Sequence, residues 1–565
     1  MISCDSEQPQ QEFITTFETS NGTKTATYEE AISYYKKLAS TYDEISIKAH
    51  GMSDSGEPLH MVTLNPDENF DYALIKENKR VLLINNGIHP GESDGIDATM
   101  MLFRDIVQGK INKPKSTVLV TIPIYNIGGS LNRNSTTRTN QNGPISYGFR
   151  GNGRNYDLNR DFIKSDTKNA KAFAAIFHEV QPDVFIDNHV SNGADYQYTL
   201  THLFTQHNKL GGQLGTFLNS TIRPQLEQKL LKKEWDITPY VNVFNTTPDN
   251  GFTQFLDSPR YSTGYTTLFN TFGVMVETHM LKPYKKRVES TYEFMKSMIE
   301  VTEENGNKIT TLRKNALREI QSQSTYPIQW TVDTSKTSLL QFKGYEGKLI
   351  DSKVTGLKRL KYDKTKPFTK TVQYQDHMIP SLEIDIPKAY IIPKAWSNIT
   401  SLMKTNGVNL KTLSQDTIVN VTRYNIKSFT TKKQAYEGHY PHANVELETS
   451  QDKVKFHKGD VIIKTDQYGL RYILETLEPQ APDSFFSWNF FDTILQQKEG
   501  FSPYVWEDKA EILLTKNPKL KLKFDTKKMN DSAFANNWYA QLDWLHKQSE
   551  HYEQAHLRYP VYRIE

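Results

Sequence analysis

Cysteine is all but absent from this chain of 565 residues: Cys4 stands alone, so no internal disulfide can form. That fits a reducing compartment and also fits the many bacterial envelope proteins that use none. Long hydrophobic runs are missing too. The richest, such as Val118 to Ile124, have strand length, against the roughly 18 to 20 apolar residues that a membrane helix needs. Nor is there a strong charge bias: 68 Lys plus Arg against 65 Asp plus Glu leaves +3, too little to suggest a nucleic-acid partner. Aromatic residues are plentiful instead, with 30 Tyr and 28 Phe, so the cores lean on aromatic area, and a hydrophobic share of 37% excludes a disordered chain. At about 150 residues per domain the length asks for two to four domains and excludes a small stapled scaffold.

The place of Cys4 says more than its number. Ile2-Ser3-Cys4 resembles the tail of a lipoprotein processing site, in which a small residue precedes a cysteine that becomes the lipidated N-terminus; the basic and apolar stretch of a signal is missing. With a trimmed export signal, Cys4 is a lipid anchor and the location is a bacterial cell envelope or periplasm. Without one, it is an ordinary thiol on a frayed end of a cytoplasmic chain.

Residues 5–26 are polar and rich in Ser, Thr, Gln and Glu, which predicts a tether over 1–27 and folding from Tyr28 onward. Tyr28 to Ser40 carries a helical stripe, and Ile45 to Ala49 with Leu59 to Leu64 flank a Gly-rich turn as a hairpin. Val81 to Ile84, Val118 to Ile124, Val184 to Ile186 and Val274 to Val276 are short apolar runs without clean alternation, as expected of strands buried on both faces. Helical patterns separate them: Ile96, Met100, Phe103 and Val107 before Gly109, and Phe173, Ile176, Phe177 and Val180 before Pro182. The alternation predicts an α/β fold, a mostly parallel mixed sheet with helices on both faces. From Tyr284 to about Ser324 the pattern is helical. Beyond it, residues 326–565 read as a β-rich accessory region, with Tyr390 to Ile392, Val454 to Phe456, Val461 to Lys464 and Leu520 to Phe524 as strands. A closing helix carries Phe534, Trp538, Leu542 and Leu545 and is capped by Asp531 or Ser532.

The strand Val81 to Ile84 runs into Asn85-Asn86-Gly87-Ile88-His89-Pro90-Gly91-Glu92, with a helix directly after. A His and a Glu two residues apart, at the turn that leaves a buried strand, can face one point, and these are two of the three protein ligands that a catalytic zinc uses. The pair alone is weak evidence. His189 ends the strand Val184 to Ile186 and can add a third ligand, Glu277 ends Val274 to Val276 with a spare carboxylate, and Asn159-Arg160 lies between. In open α/β sheets such groups collect at the carboxyl ends of strands.

In order, the chain offers Gly-x-Ser-x-x-Gly (Gly51 to Gly56), His-Pro-Gly-Glu (His89 to Glu92), Asp-Leu-Asn-Arg (Asp157 to Arg160), a strand-terminal His189 and a strand-terminal Glu277. This series resembles the zinc carboxypeptidases of the carboxypeptidase A type, over roughly Tyr28 to Asn305, and marks the chain as a bacterial member with a C-terminal extension. The resemblance implies a catalytic domain over 28–325 with one zinc ion held by His89, Glu92 and His189 and with Glu277 as general base. Zinc lowers the pKa of its water and polarises the scissile carbonyl, while Glu277 passes the water's proton to the leaving amine. It further implies Asn159 and Arg160 as the holders of a peptide's C-terminal carboxylate. The arginine that stabilises the oxyanion has three candidates, Arg138, Arg150 and Arg154, of which Arg150 fits the spacing best. The tyrosine that closes over substrate has two, Tyr261 and Tyr265.

The implied function is a metallocarboxypeptidase acting on peptide or protein C-termini. A zinc deacylase of N-acyl amino acids and a silent module that merely binds peptides or cell wall are the rivals. Singly, His89 as a turn histidine, Glu277 as a salt-bridged strand end and Asn159-Arg160 as a helix cap are each plausible; their joint order argues against coincidence. His178, His202 and His279 are read as non-ligands, and His439 with His442 as residues of a solvated loop.

Overall fold

The structure, a computed structural model, describes residues 13–565, so Cys4 and its proposed anchor lie outside the described residues. Of the expected tether over 1–27, the described part, 13–27, is folded. Thr15 and Glu18 close a capping box on a one-turn helix, and Phe13 and Phe17 are buried against the body of the protein, because two apolar side chains punctuate the polar run.

An eight-stranded mixed sheet organises the first half. Its strands are β1 (Ile45–Met52), β2 (Pro58–Leu64), β3 (Arg80–Asn85), β4 (Thr117–Ile122), β5 (Val184–Ser191), β6 (Leu200–Phe204), β7 (Ile237–Pro239) and, after a two-residue β8 (Phe252–Thr253) outside it, β9 (Phe272–His279). The order is β1-β2-β4-β3-β5-β9-β6-β7, with β4, β3, β5 and β9 mutually parallel at the centre. The four apolar runs in the sequence are those central strands. Two residues of β5 at an odd spacing show that both faces are covered: Phe185 meets Phe173 of helix Lys168–Val180, whereas Asn188 meets Met295 of helix Tyr284–Ser322. Helix Asp94–Val107 lies on the Asn188 face, where a side chain on Gly95 would collide with Asn188.

Residues after Ser322 form three further sheets. β10 (Thr325–Val332) pairs with β13 (Met378–Asp385), while β11 (Ser338–Asp351) and β12 (Lys358–Gln375) form a long hairpin joined to β8. The third sheet has six strands, among them β14 (Ala389–Ile392), β16 (Thr417–Thr431), β17 (His442–Phe456) and the last strand, Tyr562–Ile564. Two expectations fail here. Leu520 to Phe524 is not a strand but part of helix Pro518–Asn530, because Asn517 caps it, Pro518 opens it, and only Leu520 and Phe524 are buried whereas Leu522 is exposed. The chain does not close on a helix either. Asp531 and Asn537 cap two short helices, Ser532–Ala535 and Trp538–His546, after which Tyr559 and Val561 bury the tail and lead it back into the sheet as a strand.

The two halves share one hydrophobic core. Phe269, just before β9, meets Tyr468 and Tyr472 of the second half at ring distances of 5.6 and 6.1 Å.

Candidate metal centre and substrate cleft

His89 and Glu92 sit on the turn that leaves β3 and enters helix Asp94–Val107, while His189 projects from β5 beside its parallel partner Glu277 on β9. The geometry of the turn needs two glycines. Gly87 has φ of +66°, and a Cβ on Gly91 would lie 2.1 Å from Nε of Arg138, the arginine that reaches over it to Glu92. His89, Glu92 and His189 are all buried, and one ligand atom from each can be chosen so that all lie within 4.8 Å of one another; among the described residues no other such group of His, Cys, Asp or Glu occurs.

Each imidazole is turned by a carboxylate behind it. His89 Nε2 lies 2.9 Å from Asp157 Oδ1, and His189 Nε2 lies 2.9 Å from Asp187 Oδ2, which also accepts the Ser262 hydroxyl. Both Nδ1 atoms therefore face inward, at 3.2 Å from Glu92 Oε1 for His89 and 2.9 Å from Glu92 Oε2 for His189. This is the arrangement in which outer carboxylates fix the tautomer and orientation of metal-binding histidines.

The charges fit a cation. Burial alone would raise the Glu92 carboxyl, but His89, Arg138 and His189 hold it well below the carboxylate range. Burial alone would lower His189, but Asp187 and Glu92 raise it well above an ordinary histidine. His89 Nδ1 and Glu277 Oε2 are buried without a hydrogen-bond partner. Burial pushes Glu277 up to about 8 against the pull of His189, with Glu92 and Asp187 adding to the rise. Two inward imidazoles, a carboxylate and an unpartnered Glu beside them are a donor set suited to zinc with an open position.

The centre opens into a cavity of about 630 Å³. Asn159 and Arg160 line it from a short 3-10 turn capped by Asp157; Arg160 lies over the Tyr261 ring at 4.5 Å, and Asn159 Oδ1 accepts the Ser262 N–H. Both Arg138 and Arg150 line the same space. Arg138 donates to Glu92 at 2.9 Å and to Gln141, whereas Arg150 donates to Asp157 at 3.0 Å and keeps its side chain 46% exposed. Arg154 points away, over Tyr156 and toward Asp54. Tyr265 is also not at the cavity: one helical turn beyond Tyr261 it faces the core, fully buried, with its hydroxyl donating to Asn406.

The three histidines read as non-ligands are engaged elsewhere: His178 with Tyr265, His202 with Glu227, His279 with Asp195. His439 and His442 do not form a solvated loop, since they contact Asp166 and Asp492 and His442 is buried. Sequence reasoning overlooked Asp157 and Asp187 as supports of the histidines. A signal was present for the second, because strand alternation puts residues two apart, Asp187 and His189, on one face. It also overlooked the cleft wall of Leu203, Tyr240, Phe244, Phe255 and Met275, which carries no motif.

Residues 31–187 match the family described as zinc carboxypeptidase. A carboxypeptidase 2 of Trichophyton rubrum is 21% identical, over 72% of this chain and 72% of that one, and a carboxypeptidase 2 of Trichophyton tonsurans is 31% identical over 18% of this chain and 19% of its own. Carboxypeptidase A of Helicoverpa armigera, a solved structure, is 14% identical with a TM-score of 0.37, over 49% of this chain and 73% of that one. The matched segment carries His89, Glu92, Asp157 and Arg160, so in its first half the chain is similar to zinc carboxypeptidases.

Proposed function

We propose that the protein removes the C-terminal residue of peptides, with one zinc ion held by Nδ1 of His89, Nδ1 of His189 and the carboxylate of Glu92. Bound there, zinc supplies Lewis acidity toward water and carbonyl oxygen. Glu277 Oε2 takes the proton of the attacking water and returns it to the leaving amine. A dication nearby would pull Glu277 down from the value to which burial raises it and keep it ionised as a base. Arg150, exposed toward the cavity, stabilises the oxyanion, while Arg138 braces Glu92. Asn159 and Arg160 bind the terminal carboxylate, with Tyr261 packed on the guanidinium. The apolar wall of Leu203, Phe255 and Met275 favours an apolar or aromatic terminal side chain.

The observation that carries this reading is the pair of imidazoles anchored through Nε2 to buried carboxylates, with both Nδ1 atoms aimed at Glu92 beside an unpartnered Glu277. The test is Glu277→Gln. Zinc content should stay at one per chain while turnover falls about 100- to 10,000-fold; full turnover would refute the assigned base. Mass spectrometry of a digested peptide library should show ladders from the C-terminus. Internal cuts, or activity confined to N-acyl amino acids, would refute the exopeptidase reading.

A further inference from the structure

All residues lining the cavity fall between His89 and Met280, so the second half of the chain forms no part of its wall. It reaches the site from behind. The loop between β16 and β17 folds over Tyr156 to Arg160, the segment that carries the carboxylate-binding pair. Glu437, in the left-handed region with φ of 51°, accepts the backbone N–H of Asp157 at 2.8 Å. Gly438 follows, and a Cβ there would sit 2.5 Å from the Tyr156 hydroxyl. Tyr436 stacks on Trp488 with ring centroids 6.0 Å apart, and the Arg260 guanidinium lies over its ring at 5.8 Å. Arg260 is locked in turn by Asp483 at 2.7 Å and by the Trp488 ring at 4.9 Å. His439 closes the loop onto Asp166 at 2.7 Å.

Two features of Glu437 are costly. A non-glycine residue in the left-handed region is uncommon, and a half-buried carboxylate is brought beside the carboxylate of Asp157. A loop that merely covered the surface would need neither. Both costs fall on the residue that backs Asp157, whose own carboxylate holds His89 and Arg150 and lies 3.9 Å from Arg160.

We infer that the loop Tyr436–His439 is a positioning element for the carboxylate clamp: the second half of the chain fixes the Asp157–Arg160 turn so that Arg160 and Asn159 meet the end of a peptide. The residues of the loop touch no substrate. They act through Asp157 and Arg160, which gives the C-terminal region a task in recognising the peptide terminus. The inference rests on Arg160 being that clamp, so the experiment separates the two.

In the full chain, Glu437→Ala, Glu437→Gln and Arg160→Ala are compared by steady-state kinetics on a peptide with a free terminal carboxylate, alongside zinc content and melting temperature. Arg160→Ala should raise KM strongly. Glu437→Ala should raise KM about tenfold, the weight of one hydrogen bond at a well-ordered site, with kcat changed less than KM and zinc retained. Glu437→Gln keeps an oxygen for the Asp157 N–H and should return KM to within about threefold of the parent. A normal KM in Glu437→Ala, with KM raised in Arg160→Ala, overturns the positioning role and leaves the clamp standing; a normal KM in Arg160→Ala overturns both. If Glu437→Ala melts below the assay temperature, Tyr436→Ala, which removes the ring that meets Trp488 and Arg260, is read in its place, where a raised KM supports the role and an unchanged KM overturns it.

Discussion

Asp157→Asn is the sharpest test of how the metal centre is held. One oxygen of Asp157 receives His89 Nε2 at 2.9 Å, and the other receives Arg150 through Nε and a terminal nitrogen at 3.0 and 2.9 Å. An asparagine has one oxygen for these two jobs. If it serves His89, its NH2 confronts the Arg150 guanidinium; if it serves Arg150, the imidazole faces a donor and loses its preferred tautomer. Removing an outer partner of a metal-bound histidine costs about 10- to 100-fold in metal affinity, or about 1.4 to 2.7 kcal/mol. The geometry puts Asp157→Asn at the upper end. Asp187→Asn is the control. Its oxygen can still take both His189 and Ser262, while its NH2 faces Asn85, whose own Oδ1 has no partner and can rotate to accept. Only charge is lost there, and the expected cost is nearer tenfold. Zinc affinity is read by competition with a chromophoric chelator at neutral pH and physiological salt. An Asp157→Asn protein that bound zinc as tightly as the parent, or more tightly than Asp187→Asn, would refute this account.

What the sequence made legible followed from strong local physics. The central strands show as apolar runs because both faces of β3, β4, β5 and β9 are covered. The candidate site was readable because His89 and Glu92 share one turn and His189 and Glu277 are register partners on adjacent strands. The errors arose where one pattern serves two structures. Lys519 to Phe524 alternates like a strand, yet Leu520 and Phe524 are also spaced as one helical face, and the cap at Asn517 decides the outcome. Tyr261 and Tyr265 could not be told apart by motif, since only packing shows which of them the helix Ser262–Thr267 turns into the core. The loop at Glu437 left no trace near the catalytic motifs, because its contacts span 280 residues of sequence.

Two further perturbations follow from close packing at the edges of the site. Gly91→Ala drives a methyl group into Arg138 Nε and the Gly148 carbonyl, so stability should drop by about 1 to 3 kcal/mol. In thermal melts the double variant with Arg138→Ala should be less unstable than the sum of the singles, and strict additivity would refute the clash. The last concerns pH. His178 donates through Nε2 to the Tyr265 hydroxyl, which itself donates to Asn406, and packs against Phe269 at a ring distance of 4.7 Å. Burial, helped by Lys76, pushes it down to about 3, so the folded protein holds it neutral. The unfolded chain protonates the same histidine near its ordinary value of about 6.5. Between those values the unfolded state binds the extra proton, and stability must fall as pH falls, by at most about 1.4 kcal/mol per pH unit from this group. His178→Gln keeps a donor toward Tyr265 and has no proton to gain. Its stability relative to the parent, measured by urea unfolding from neutral pH down to about pH 4, should rise steadily as the medium is acidified. A difference that stays flat across that range would show that His178 is free to ionise in the folded state.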